Sequence, residues 1–319
     1  MAKIVECVPN YSEGTDMSKI EKITEAFKNK DGVRLVDVDA DANYNRTVVT
    51  VIGDPQKVKD AVVESVKTAL ELIDLNIQRG EHKRMGAVDV IPFIPINEMS
   101  IEEAVELSKE CGQEISEKYD LPVFLYSHSA TKPEREKLPT IRKGEFEGMP
   151  KKLKDPEWAP DYGKAQIHPT GGVTAVGCRP ALIAYNIDCA TKDRPACAFI
   201  AKAIRNSGGG YKCIQAGPAE MEDFIQVTMN VTDYTQTSVY RAFEAVKMEA
   251  KRFDIEVTGS EFIGLVPRNC LEDIAAYYEK ERTTDKFKDY TLDELTAIVT
   301  KNLGLRGFST DKIIEYYLQ

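Results

Sequence analysis

The sequence is poor in several of the residues and patterns that announce chemistry. It has three histidines and one tryptophan in 319 residues, and its seven cysteines never form a CxxC pair. His82, His128 and His168 are too dispersed for a local metal motif, so no metal is expected. Cys7, Cys111, Cys178, Cys189, Cys197, Cys213 and Cys270 are odd in number, and several lie in apolar stretches. That pattern reads as buried free thiols in a reducing compartment, against a disulfide framework or a zinc site. A Walker A loop, a GxGxxG after a strand, a GxSxG elbow and an HExxH pair are all missing, which disfavours the common nucleotide and hydrolase routes. No run approaches the roughly 18 apolar residues of a membrane span. The N-terminus lacks a basic stretch leading into an apolar signal core, so a cytoplasmic protein without a membrane partner is expected. Basic residues are the minority, 42 against 52 acidic, for a net charge of −10. An acidic surface disfavours nucleic acid as a partner but leaves room for a local basic pocket around a small anion.

What is present is an alternation of strand and helix signals, in a chain long enough for two domains. Lys3 to Val8 reads as a strand, and a helix follows with Ile20, Ile23 and Phe27 on one face. Two β-rich runs come next, Val33 to Val38 and Arg46 to Ile52. Asp54-Pro55 then opens a helix with Val58, Val62, Val66, Ala69 and Ile73 at helical spacing. Ala87 to Ile94 is a further strand, and Ser100-Ile101-Glu102-Glu103 is a capping box. Residues 130–172 have little periodicity and read as loops passing over a site. The second half repeats the order, with strands near 181–187, 211–216, 223–231, 255–258 and 261–266, and three short helices at the end. The expected class is α/β (α+β): two subdomains, 1–178 and 179–319, each of ferredoxin-like βαββαβ order, with helices outside and a ligand groove between.

Four features are candidates for chemistry. His82 lies in Arg79-Gly80-Glu81-His82-Lys83-Arg84-Met85-Gly86, between a helix end and an apolar strand. Imidazole exchanges protons near pH 6.5, and nearby cations can hold a carboxylate. Composition alone favours a solvated basic turn. Asp37 and Asp39 fall, by strand periodicity, on the face carrying Val33 and Leu35. Charges following apolar residues onto one face either cap a turn or serve a site. The run Gly163-Lys164-Ala165-Gln166-Ile167-His168-Pro169-Thr170-Gly171-Gly172 would let backbone approach a flat ligand, or serve as a linker. Glu261, in an apolar run, is either a buried acid or one satisfied at a strand edge.

Taken in order, several longer segments make a resemblance: Glu6-Cys7-Val8-Pro9-Asn10-Tyr11-Ser12-Glu13-Gly14, Asp37-Val38-Asp39-Ala40, Asn45-Arg46-Thr47-Val48, Gly80 to Ala87, Pro150-Lys151-Lys152-Leu153, Trp158-Ala159-Pro160-Asp161, Thr174-Ala175-Val176-Gly177 and Gly264-Leu265-Val266-Pro267. They cover nearly the whole chain and resemble the glutamate formiminotransferase family, which also forms the N-terminal part of formiminotransferase-cyclodeaminase. The resemblance implies transfer of a formimino group from N-formimino-L-glutamate to N5 of tetrahydrofolate, in histidine degradation, by a cytoplasmic homodimer. Tetrahydrofolate is then a co-substrate, and no metal takes part. It implies His82 as the catalytic residue with Asp39 near it, and residues 163–172 as the folate-contacting stretch. Arg46, Arg84, Lys151 and Lys152 become candidates for substrate carboxylates, with Glu261 as a further substrate-binding candidate. Lys83 stands where animal members usually carry proline, and Lys164 to Gly171 departs from their pattern. No cyclodeaminase domain is expected after Gln319. Rival expectations are a formiminoglycine or formyl donor, or a non-catalytic folate-binding protein.

Overall fold

A computed structural model describes residues 3–318. It divides into two compact units, Met1–Arg179 and Pro180–Gln319. The expected mixed α/β class with two sheets is what the structure has.

The first unit is built on β1 (Ile4–Cys7), β2 (Asn10–Tyr11), β3 (Val33–Asp41), β4 (Arg46–Gly53), β5 (Val88–Asn97), β6 (Val123–Leu125) and β7 (Thr174–Cys178). β1 and β2 lie end to end between β4 and β5, interrupted at Val8-Pro9. β3 pairs with β4 on one side, while β7 and then β6 extend the sheet in parallel beyond β5. One face carries α1 (Met17–Thr24), α2 (Pro55–Leu72) and α3 (Ile101–Tyr119). Each helix starts where a short polar side chain satisfies otherwise unpaired backbone N–H groups: Asp16, Asp54 and the Ser100–Glu103 capping box. Val5, Cys7, Tyr11, Val49, Val51 and Phe93 meet Val58, Val62 and Val66 of α2 in a core with no exposed member. Each large apolar side chain so buried contributes about 1.5–3 kcal/mol.

Residues 130–172 differ from the expected run of loops. They hold two short helices, α4 (Leu138–Arg142) and α5 (Glu145–Lys152), with 3-10 turns around them. This segment covers part of the opposite sheet face. Ile141, Met149 and Leu153 pack on Met85, Val90, Phe124 and Ala175 as a second, smaller core. α4 is only five residues long and α5 carries Pro150 inside it, so neither shows a clear 3.6-residue period.

The face assignment of Asp37 and Asp39 needs correction. A register shift between Leu35 and Asp37 places Leu35 opposite Val51 but Asp37 opposite Thr50 and Asp39 opposite Val48. Val51 points into the helical core, whereas Val48 and Thr50 alternate to the other side. One extra residue at a β-bulge therefore moves both carboxylates onto the helix-free face.

The second unit follows βαββαβ order: β8 (Ile183–Cys189), α6 (Arg194–Ile204), β9 (Ile214–Glu220), β10 (Ile225–Val231), α7 (Val239–Ala250) and β11 (Val257–Ile263), then α8 (Arg268–Tyr278) and α9 (Leu292–Leu303). The sheet order is β11-β8-β10-β9, all antiparallel. The two strands expected near 255–266 are one, β11, and residues 310–318 form 3-10 turns instead of a helix. The cysteines are free as expected, six buried and Cys213 partly so.

Candidate active site

His82 is held by backbone before any charge acts on it. Glu81 N–H donates to Asn43 O at 3.1 Å and His82 N–H to Tyr44 O at 3.3 Å, tying its loop to the β3–β4 turn. Gly80 makes this possible, because a Cβ there would lie 2.3 Å from Tyr44 O. Asn45 clamps the same junction in the left-handed region, with φ of 49°. Its Oδ1 accepts from Gly14 N–H at 2.8 Å, and its Nδ2 donates to Arg79 O at 2.6 Å.

The imidazole side chain is 10% exposed, and its Nε2 lies 3.6 Å from Oδ2 of the fully buried Asp89. Nε2 is buried without a hydrogen-bond partner among the described residues, while Nδ1 is not fully buried. Asp89 occupies the bulge in β5, between Val88 opposite Tyr11 and Val90 opposite Asn10. Met85 N–H donates to its Oδ1 at 2.7 Å, and Arg142 Nη2 donates to its Oδ2 at 2.5 Å. Burial alone would raise the Asp89 carboxyl. His82, Arg142 and the Met85 N–H outweigh it and hold the group below the usual carboxylate range. Arg142 comes from α4, whose last carbonyls are capped by Lys152: Nζ donates to Thr140 O at 2.8 Å and Ile141 O at 2.5 Å.

The other candidates are distributed unevenly around this cluster. Asp39 is exposed, and its carboxylate makes no hydrogen bond or ion pair among the described residues; the carboxylate that lies 3.6 Å from the His82 Nε2 is that of Asp89. Arg84 is spent internally. Its Nη1 and Nη2 donate to Glu147 at 3.1 and 2.8 Å, and its Nε to Gln78 Oε1 at 2.8 Å, which makes it a brace between loop and α5. Lys152 is likewise occupied, with its ammonium over the Trp158 ring at 3.8 Å. Burial, then Lys143 and Arg135, bring its pKa down to about 8. Arg46 is half-buried with an Nε that has no partner among the described residues, and Lys151 is exposed. These two keep donors for an anion.

Residues 163–172 split into two parts. Gly163, Lys164, Ala165 and Gln166 are exposed, and Lys164 pairs with Asp120. Ile167 packs into the apolar cores and Pro169 stays exposed. Thr170 O accepts from Leu75 N–H, and Gly171 O from Ala87 N–H, both at 2.9 Å. At Gly172, φ is +70° and a Cβ would meet Met85 O at 2.2 Å. His168 Nδ1 accepts Gly171 N–H at 2.9 Å. The end of the loop thus pins the strand that leaves the His82 segment. Glu261 sits in the second unit, accepting from Asn186 Nδ2 at 3.2 Å and Gln226 Nε2 at 2.8 Å.

Asp89 and Arg142 escaped the sequence reading. Asp89 had a signal, as the one charge in the apolar run Ala87 to Ile94. Arg142 lies 53 residues from Asp89 in a segment without periodicity, and had none.

Among the described residues no three His, Cys, Asp or Glu side chains are grouped to hold a metal, and no helix is long and apolar enough to cross a membrane. Comparison with known proteins gives the class. Residues 4–179 match the formiminotransferase domain, N-terminal subdomain, and residues 184–319 the formiminotransferase domain. The chain belongs to the formiminotransferase family. It is 47% identical over 290 residues to glutamate formimidoyltransferase of Streptococcus pyogenes serotype M1, covering 90% of this chain and 97% of that protein. It is 39% identical to the enzyme of that name from Thermoplasma acidophilum, over 86% of this chain and 92% of the other. Against the formimidoyltransferase-cyclodeaminase of Mus musculus, 39% identity extends over 99% of this chain but 60% of that protein.

Proposed function

We propose that this chain transfers the formimino group of N-formimino-L-glutamate to N5 of tetrahydrofolate, giving 5-formiminotetrahydrofolate and L-glutamate, in histidine degradation. The observation that carries this reading is His82: an imidazole fixed by backbone, mostly sheltered, with one nitrogen against a buried carboxylate. N5 attacks the formimino carbon to form a tetrahedral intermediate. N5 loses a proton, and the glutamate nitrogen gains one as its bond to carbon breaks. One residue that takes the first proton can return it in the second step, an effect worth roughly 10²–10⁴-fold in rate. His82 is that residue. Arg46 and Lys151, with free donors, suit the substrate carboxylates, and the exposed stretch Gly163–Gln166 suits folate contact. In this reading the enzyme is a cytoplasmic homodimer and uses no metal.

A donor panel with saturating tetrahydrofolate tests it, following the formimino-folate product. Turnover is expected with formiminoglutamate, and the His82→Ala variant is expected to lose at least 100-fold in kcat while still binding folate. Preference for formiminoglycine or a formyl donor would reassign the substrate. Folate binding without turnover of any donor would replace the enzyme with a binding protein.

A further inference from the structure

The carboxylate that faces His82 takes no direct part in the proposed transfer. Resting on the proposed reaction, we infer that Asp89 is the positioning residue of His82: it keeps a proton on Nε2, so that Nδ1 is the atom that exchanges protons with substrate, and Arg142, on the same carboxylate oxygen, tempers the negative charge that the imidazole meets.

The two nitrogens are not equivalent. Nε2 is buried and points at Asp89 Oδ2 at 3.6 Å, whereas Nδ1 has no hydrogen bond among the described residues and is not fully buried. A buried nitrogen beside a carboxylate is favoured in its N–H form, because a bare lone pair there would face negative charge. The neutral imidazole therefore carries its hydrogen on Nε2 and presents a lone pair at Nδ1. When Nδ1 takes the N5 proton, the imidazolium formed lies against Asp89 and is stabilised by it. When the C–N bond to glutamate breaks, Nδ1 returns that proton to the departing nitrogen, and the histidine is neutral again.

Arg142 decides how strongly Asp89 acts. Its guanidinium shares Oδ2 with the imidazole, while the Met85 N–H holds Oδ1. Without it, a buried carboxylate would pull harder on the proton and hold the histidine charged. The other charges near the loop are Glu81 and Lys83 beside His82, and Arg84 with Glu145 and Glu147 across from it on α5. Arg84 is already paired with those glutamates. Asp89 and Arg142 are the pair directed at the imidazole. Lys152 acts one step further out, by capping the helix that supplies Arg142.

The test is the pH dependence of kcat/KM in two variants, with thermal unfolding to confirm folding. Asp89→Asn removes the negative charge, so the limb where the base loses activity is expected to move to lower pH, with kcat down at least 30-fold. Arg142→Met leaves that charge uncompensated, so the same limb is expected to move to higher pH with a smaller loss of kcat. Arg142→Lys is expected to restore most of the wild-type profile. Opposite shifts are a signature that mere destabilisation does not produce. Profiles that stay in place in both folded variants, or move in the same direction, would overturn the assignment. Should Asp89→Asn fail to fold, the Arg142 pair decides alone. Wild-type enzyme that turns over no formimino donor would instead overturn the proposed reaction.

Discussion

The two units share a strand plan and differ in what covers the helix-free face of the sheet. In the first, the excursion between β6 and β7 lays α4 and α5 over part of that face and brings Arg142 to Asp89. In the second, β8, β9 and β10 bear no such excursion, and part of the corresponding face borders a groove. Ala184, Asn186, Gln215, Gly217, Thr228 and Asn230 border a shallow groove of about 270 Å³ there. Both faces carry a buried acid braced by arginine. Asp89 is fully buried and its Arg142 is 18% exposed, while Asp188 is 5% exposed and its Arg306 half exposed. Enclosure by an added layer, more than strand topology, separates a site able to tune an imidazole from a polar surface. Water screens a charge on an open face, and a roof removes that screening.

The largest expected effect breaks the seat of the enclosed site. In Gly80→Ala the new methyl would meet the backbone oxygen of Tyr44 at 2.3 Å, and that turn is held by Asn45 from both sides. The loop must move, which displaces His82 from Asp89. A loss of about 100-fold in kcat is expected, in line with the sensitivity of catalysis to misplacements near 1 Å. Steady-state kinetics at saturating substrates would check it, and a near-normal kcat would mean that the loop does not depend on this approach.

How much of this contrast was legible beforehand follows from local physics. The helices on the other face of that sheet, α2 and α3, repeat apolar residues at helical spacing and begin after Asp54 and Ser100, so pattern and caps agreed. His82 stood out by its flanking glycines, Gly80 and Gly86, both of which sit in close backbone approaches that only such a residue permits. Asp39 was drawn to His82 only through resemblance, and the bulge before Asp37, invisible to a period-two count, sends it to an exposed position. Asp89 could have been found as a charge among apolar neighbours. Arg142 could not, because tertiary packing of a short helix delivers it and no spacing encodes that.

A middle-sized effect sharpens the comparison from the open side. Arg306 donates to both oxygens of Asp188, from Nε at 2.8 Å and Nη2 at 3.0 Å, with Gln226 Nε2 adding a third bond at 2.9 Å. Removing one partner of a buried pair costs about 3–5 kcal/mol. Half of Arg306 is in water, and Gln226 remains in its variant, so Arg306→Met is expected to cost about 1–2 kcal/mol. Urea unfolding measures it. A cost as large as that of Arg142→Met would erase the distinction between roofed and open faces.

The smallest effect concerns His168, which holds the end of the 163–172 loop through Gly171. Burial, opposed only by the carboxylate of Asp120, keeps its imidazole less easily protonated than in a free chain. Its Nδ1 is an acceptor for Gly171 N–H, a bond that a protonated ring cannot accept. The unfolded chain takes up this proton near pH 6.5 and the folded one only at lower pH, so unfolding gains protons as pH falls. The histidine therefore costs no stability above that value, and its penalty grows as pH drops from about 6.5 toward the folded pKa. His168→Asn keeps an oxygen close to the Nδ1 position but cannot titrate. Comparing urea midpoints at pH 7.5 and 5.5, the wild-type protein is expected to lose more stability than the variant over that interval, with the two alike at the upper pH. Equal losses would show that the Gly171 bond does not constrain the protonation of His168.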